Sequence, residues 1–356
     1  MGAIVSFLIT WTVIFYLYYR LVKAYYRGKD ASDEMHHCTT PDGWRLSLKR
    51  YTPSQPDSKR YPVLLLHGLG SSARGFELGD DIPALPTWLK AKNWDVWAAD
   101  LRGHGLSEHP TFFSEKRYGW NFDDYLNKDL PTLIEHILKQ TGASKVHWIG
   151  HSMGGILALS ALAHPQLKNK LASVTTIASS LNYSTSKTAY FLWKKYLSPL
   201  KGLLPAVPMN WIALLCAPIA GRFPNQWDRF SAVFENIKPR HLRRLYARTF
   251  SPISTPVLLQ LESVLDSKGL VSNDNSIRYS DALSRTELPT LTLAGDKDIQ
   301  CPLEAVELTF NELPEKTRKK IVFPNTGHWD LLIGKESETK VFPEIEEFLT
   351  SSQPQL

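Results

Sequence analysis

A strand-length apolar run, Val146-His147-Trp148-Ile149, passes directly into Gly150-His151-Ser152-Met153-Gly154, and a helix-forming segment from Ile156 to Ala163 follows at once. This G-x-S-x-G turn constrains the fold more than any other stretch of the chain. A strand that enters a helix through so tight a turn holds its central residue in a strained, exposed position. Glycines flank it because a Cβ there would collide with the neighbouring strand and helix. The bland alternative is an incidental glycine-rich turn between two elements. In this strand–turn–helix setting Ser152 is the candidate nucleophile.

The rest of the chain supplies a sheet in which to set that turn. His36 to Tyr51 reads as a strand hairpin turning at Pro41-Asp42-Gly43. Short apolar runs bounded by Gly and Pro follow: Val63–Leu66, Val96–Ala99, Val146–Ile149, Val174–Ala178, Leu291–Ala294 and Ile321–Phe323. Continuous apolar strands separated by helical-length segments predict a mostly parallel sheet buried on both faces. Pro131–Lys139 and Phe342–Leu349 read as two of its covering helices. Between about Leu181 and Glu287 the βα rhythm stops. Apolar helical patterns such as Leu203–Pro208 and Trp211–Cys216 predict a helical cap over the C-terminal edge of the sheet, where ligands bind in open α/β folds. Within it, His241–Arg248 is a basic helical patch, expected as a solvated face.

A serine hydroxyl is a poor nucleophile at neutral pH, so Ser152 needs a base, and the base needs an orienting acid. On this kind of turn the acid and then the histidine follow the serine in chain order. Gly295-Asp296-Lys297-Asp298 stands at the end of the run Leu291–Ala294; Asp298 is the preferred acid, with Asp296 as the fallback. Asn325-Thr326-Gly327-His328-Trp329 follows the last apolar run, which makes His328 the candidate base. The developing oxyanion needs backbone donors. The amides of Met153, next to the nucleophile, and Leu69, in His67-Gly68-Leu69-Gly70, are assigned to it. His67 and the loop Asp100–Ser107 are read as braces.

The N-terminus carries the second strong signal. No charged side chain occurs from Met1 to Tyr19. As a helix that stretch would reach roughly 28 Å at about 1.5 Å per residue, close to the hydrocarbon thickness of a bilayer. Arg20, Lys23, Arg27 and Lys29 follow it and no basic residue precedes it, which places the domain on the cytoplasmic side. A cleaved signal would need a basic start and a small-residue cleavage site, and neither is present. The loose myristoylation pattern at Met1–Ser6 is redundant beside a spanning helix, and the sequon Asn182-Tyr183-Ser184 matters only if the domain is luminal. The net charge of +6 is mild and spread out, which argues against nucleic acid and suits a membrane surface. With 43% hydrophobic and 21% charged residues the chain is not disordered. Cys38, Cys216 and Cys301 are too few and too scattered for a disulfide framework.

These blocks together resemble the α/β-hydrolase-fold serine hydrolases, and in particular their acid-lipase-like branch. The likeness is carried by Pro41–Leu48, His67-Gly68-Leu69, Trp94–Trp97, Tyr118–Asp124 through Asp129-Leu130-Pro131, Gly150–Gly155, Asp298 and Gly327–Leu332. It implies hydrolysis of carboxylic esters of lipids through an acyl-serine intermediate, without a metal or organic cofactor. It covers roughly residues 36–180 and 288–335. The cap is unmatched, so substrate preference does not carry over. That branch is typically secreted or lysosomal, whereas this chain reads as anchored.

The expected organisation is a transmembrane anchor (1–19), a juxtamembrane linker (20–35), the first part of an α/β-hydrolase core (36–180), a helical cap (181–287), the second part of the core (288–350) and a tail (351–356). The expected function is a membrane-anchored lipid esterase or lipase, with a lipid ester and the membrane as partners, at the endoplasmic reticulum or lipid droplet surface in a eukaryote. Two alternatives stay open. One is a lipid acyltransferase, to which the short H-x-x-x-x-D pattern His37–Asp42 would belong; the other is a non-catalytic membrane scaffold.

Overall fold

The computed structural model describes residues 2–57, 59–79, 81–191, 194 and 204–353. An eight-stranded sheet runs through it: β1 (Glu34–Thr39), β2 (Arg45–Tyr51), β3 (Val63–Leu66), β4 (Val96–Asp100), β5 (Val146–His151), β6 (Leu171–Ile177), β9 (Thr290–Gly295) and β10 (Arg318–Phe323). Their order is β1-β2-β4-β3-β5-β6-β9-β10. The hairpin β1–β2 is antiparallel and meets β4 antiparallel, while all pairings from β4 to β10 are parallel. Every residue of β3, β4, β5, β6 and β9 is buried, as their unbroken apolar runs require when helices cover both faces. The strand order turns back on itself around β3 and β5, and such a switch point opens a crevice at the C-terminal strand ends.

The covering helices show the expected one-sided patterning. The helix Leu130–Thr141 buries Leu130, Leu133, Ile134 and Ile137 at helical spacing and stops at Gly142, whose φ of 72° closes its C-terminus. Phe342–Ser351 buries Phe342, Ile345, Phe348 and Leu349 in the same way. Leu85–Ala91 and Leu303–Asn311 also flank the sheet. Their short apolar faces stand beside prolines and did not declare a period in the sequence.

Between β6 and β9 lie the helices Met209–Cys216, Gln226–Ser231, Pro239–Arg248 and Thr255–Leu261. Part of the expected helical pattern Leu203–Pro208 is extended instead: Ala206–Val207 forms β7 and pairs antiparallel with β8, Ile253–Ser254. Prolines at 205 and 208 bracket that pair and keep it from helical geometry. Leu203 lies outside the described residues. The basic helix is not a solvated face. Arg243 donates to the carbonyl of Ala220, Arg244 to that of Gly79 and Arg248 to that of Lys23. The last two bonds tie the segment between β6 and β9 to the N-terminal part of the chain.

The N-terminal helix runs from Gly2 to Tyr25, past the expected end of the anchor at residue 19. Arg20 and Lys23 are good helix formers, so they end an apolar stretch without ending the helix. Its length and composition suffice to cross a membrane over Val5–Tyr25. The three cysteines are free thiols. Asn182 and Tyr183 of the sequon are buried, and Asn182 accepts the Ser184 amide at 2.9 Å.

Candidate active site

Ser152 sits at the junction of β5 and the helix Met153–Ser160 with φ 53° and ψ −121°, a conformation that costs a non-glycine residue free energy. Two close approaches leave room for it. A Cβ on Gly154 would run into the carbonyl of Leu66 at the end of β3, and one on Gly68 would stand 2.9 Å from the Cβ of Ser152. Glycine at 154 therefore lets the helix settle onto the sheet, and glycine at 68 lets the loop after β3 reach the serine. Met153 opens its helix, so its N–H belongs to the first turn, which has no intrahelical acceptor.

Asp298 follows β9 and His328 follows β10, and both side chains are buried. His328 Nδ1 lies 2.7 Å from Asp298 Oδ2. A carboxylate only accepts, so Nδ1 carries the hydrogen, the tautomer that in a neutral imidazole leaves the lone pair on Nε2. Asp298 Oδ1 takes the backbone N–H groups of Gln300 and Cys301 at 2.8 and 2.9 Å. The fallback acid, Asp296, is exposed and accepts only from the Thr326 amide, at 3.4 Å. The structure thus pairs His328 with Asp298 and leaves Asp296 at the surface.

The loop that carries His328 is clamped from two sides. Asp330 Oδ2 accepts the amides of Gly327 at 2.6 Å and Val233 at 3.0 Å, and the Trp329 amide donates to the carbonyl of Ser231 at 2.9 Å. Burial raises the carboxyl of Asp330 to about 6, against the pull of those two amides. From the other side His151 Nε2 donates to the carbonyl of His328 at 3.2 Å. Burial holds His151 well below the usual imidazole range, so it is a neutral brace. His67 acts likewise: Nδ1 donates to the carbonyl of Gly68 at 2.9 Å while Nε2 accepts from the Leu101 amide at 3.2 Å. Burial lowers its pKa to about 4.

The loop Asp100–Ser107 is occupied with structural work. Asp100 accepts the amides of Ala73 and Leu106, and Arg102 pairs with Asp129 and Asp42. Asp42 is committed to Arg102 and Thr40, so the His37–Asp42 pattern has no carboxylate to spare.

Two apolar chambers meet at Ser152. One, of about 330 Å³, runs under Met153, Ile156, Tyr183, Leu258 and Leu265. The other, of about 420 Å³, holds His328 and is walled by Trp227, Phe230, Tyr246, Phe250 and Trp329; among the described residues no Lys, Arg, Asp or Glu lines it. Leu69, Ser152, Tyr190, Val207 and Ile212 line both. Each volume admits on the order of ten methylene-sized groups, taking about 30 Å³ for each, as for a water.

Sequence reasoning did not find Tyr190, Gln300, His151 or Asp330. Tyr190 lines both chambers with Ser152, and its hydroxyl donates to Gln300 Oε1 at 3.2 Å. Gln300 Nε2 donates to the carbonyl of Phe230 at 2.7 Å. Tyr190 comes from the segment without motifs, and nothing in its neighbours marks it. Asp330 carried a faint signal, standing three residues after Gly327 at the start of the short helix Asp330–Ile333.

A family model described as the alpha/beta hydrolase fold matches residues 61–335. Among curated proteins, Lipase 1 of Drosophila melanogaster is 37% identical over 124 residues, which is 34% of this chain and 27% of the fly protein. Lipase member N of Mus musculus is 25% identical over 348 residues, covering 88% of this chain and 86% of the mouse protein. Among solved structures, the monoacylglycerol lipase of Paleococcus ferrophilus superposes with a TM-score of 0.60 at 20% identity, over 86% of this chain and 99% of that one. With the family model spanning most of the chain, the protein belongs to the alpha/beta hydrolase fold family.

Proposed function

We propose that this chain is a membrane-anchored serine hydrolase that cleaves carboxylic ester bonds of lipids through an acyl-serine intermediate. Ser152 attacks the ester carbonyl, and His328 Nε2 takes its proton and delivers it to the departing alcohol. Asp298 holds the tautomer that this transfer needs. The N–H groups of Leu69 and Met153 meet the oxyanion, where charge develops only on the way to the tetrahedral intermediate. Water, activated by the same histidine, then releases the acid. Residues 36–180 and 288–350 form the catalytic core and 181–287 the cap.

One observation carries this reading: a serine in a strained backbone conformation lies where two apolar chambers join, and one chamber contains a histidine bonded to a buried aspartate. The lipase names of the fly and mouse relatives agree with it. The chamber with His328 suits the alcohol half, because the leaving oxygen must receive the histidine's proton. The other suits the acyl chain.

Retention of the N-terminal helix is supported by its last turns. Val22 is buried in the core, and the Tyr18 hydroxyl donates to the carbonyl of Leu214 at 3.4 Å. The cations Arg20, Lys23, Arg27 and Lys29 after the apolar stretch support a cytoplasmic catalytic domain.

A fluorophosphonate probe tests the chemistry. The full-length protein in detergent should be labelled, Ser152→Ala should not, and short- and long-chain esters should be hydrolysed only by the former. Failure of the native protein to label and to hydrolyse any ester would overturn the reading.

A further inference from the structure

The helix Met209–Cys216 and the turns after it present two faces. Ala213, Leu214, Ala217 and Ala220 point inward and are buried. Trp211, Leu215 and Ile219 recur every fourth residue on the other side; Phe223 follows in the turns, and Trp227, on the next helix, is exposed at one edge while it also walls the chamber that holds His328. All five are large and apolar, yet they are 37–58% exposed. A contiguous apolar ridge of this kind marks a surface with a partner.

The N-terminal helix indicates which partner. In the N-terminal helix the uncharged stretch Gly2–Tyr19 rises about 27 Å, close to the roughly 30 Å of bilayer hydrocarbon, so Tyr18 and Tyr19 stand at the edge of the span. Its last turns are nevertheless packed on the cap. The Tyr19 ring lies 4.8 Å from that of Trp211, Tyr18 bonds Leu214, and Arg248 bonds the carbonyl of Lys23. The cap helix therefore stands at the same depth as the end of the span, and its outward ridge continues the apolar surface of the span sideways. Exposed cations stand along the chain beside the ridge: Arg20 next to Tyr19, whose ring packs on Trp211, Arg222 beside Phe223, and Arg229 two residues beyond Trp227. Apolar side chains with a basic border, including two tryptophans, are the composition of an interfacial membrane contact.

We infer that the ridge Trp211–Leu215–Ile219–Phe223–Trp227 is a second membrane contact, which seats the cap in one leaflet of the bilayer that holds the N-terminal helix. This rests on the reading of Val5–Tyr25 as a membrane anchor. The inner side of the same helix carries Met209, Ile212, Ala213 and Cys216 into the chamber that holds His328. A single helix then separates leaflet from chamber, and a lipid ester reaches Ser152 past it without crossing water.

The test uses the full-length protein in phosphatidylcholine vesicles that contain a phospholipid with a photoactivatable diazirine in its acyl chain. Cross-links mapped by peptide mass spectrometry are expected in residues 209–227 as well as in the N-terminal helix. The triple variant Leu215→Asp, Ile219→Asp, Phe223→Asp changes no residue that lines either chamber. It should stay with the vesicles and keep hydrolysis of a water-soluble butyrate ester within about twofold, while losing at least about tenfold on a long-chain ester dissolved in the bilayer. Cross-links confined to residues 2–25, an equal loss on both esters, or a dimer that buries the ridge would overturn the inference. Ridge cross-links in a protein that hydrolyses neither ester would leave the contact standing and sink the catalytic reading alone.

Discussion

His328 donates from Nδ1 to Asp298 Oδ2 at 2.7 Å, while the other oxygen of that carboxylate is held by the amides of Gln300 and Cys301. The acid is thus locked in place before the histidine is considered, and it has one oxygen left to fix the imidazole tautomer. In Asp298→Asn the amide nitrogen has to face either the imidazole or the two backbone donors. We expect kcat on a soluble ester to fall by about 10⁴-fold, the scale seen when a triad acid loses its charge but keeps its shape. Asp296→Asn, at the surface, should change kcat by less than about twofold. Steady-state kinetics on the two variants checks both statements, and the opposite ranking would move the acid to Asp296.

The Tyr190 hydroxyl stands beside Ser152, where the two chambers meet, and donates to Gln300 Oε1 at 3.2 Å. Burial pushes its phenol above the usual tyrosine range, so it stays protonated at any physiological pH. A serine hydroxyl turned toward this phenol is turned away from His328. In Tyr190→Phe the serine turns to the histidine, and the rate of labelling by a fluorophosphonate should rise about fivefold, the equivalent of about 1 kcal/mol for one net hydrogen bond. A large fall would instead make the phenol a direct participant in catalysis.

His147, at the start of β5, is buried far from Ser152. Gln353 Nε2 lies 2.7 Å from its Nε2, and its Nδ1 lies 2.7 Å from the hydroxyl of Ser173. An amide nitrogen only donates, so Nε2 accepts and the ring is neutral. Burial lowers its pKa to about 3, below the roughly 6.5 of an unfolded chain. The unfolded state therefore binds one more proton between those values. The stabilising contribution is complete above about pH 6.5 and is lost as pH falls toward 3. Urea titrations in detergent at pH 6, 5 and 4 should show a slope of stability against pH smaller in His147→Asn than in the native chain by about 1.4 kcal/mol per unit. Equal slopes would refute the neutral assignment.

What the amino-acid sequence determined by itself was local and periodic. The run Val146–Ile149 before Gly150–Gly154 specifies a strand, a turn and a helix, because glycine alone fits where Gly154 meets the Leu66 carbonyl. Unbroken apolar runs specify strands buried on both faces, and the paired carboxylates after Leu291–Ala294 narrowed the acid to two residues. Asp298, one step further into the loop, is already the preferred one there; the register of β9 beside β10 sets it against His328 and turns Asp296 outward. Only the tertiary structure brought in Tyr190, His151 and Asp330, since each acts through a partner far away along the chain. The same holds for Ala206–Val207, read as helical until its pairing with Ile253–Ser254 supplied the hydrogen bonds of an extended strand. The arginines of Pro239–Arg248 looked like a solvated face for a similar reason: their acceptors are backbone carbonyls of distant segments, and carbonyls leave no trace in a pattern of side chains.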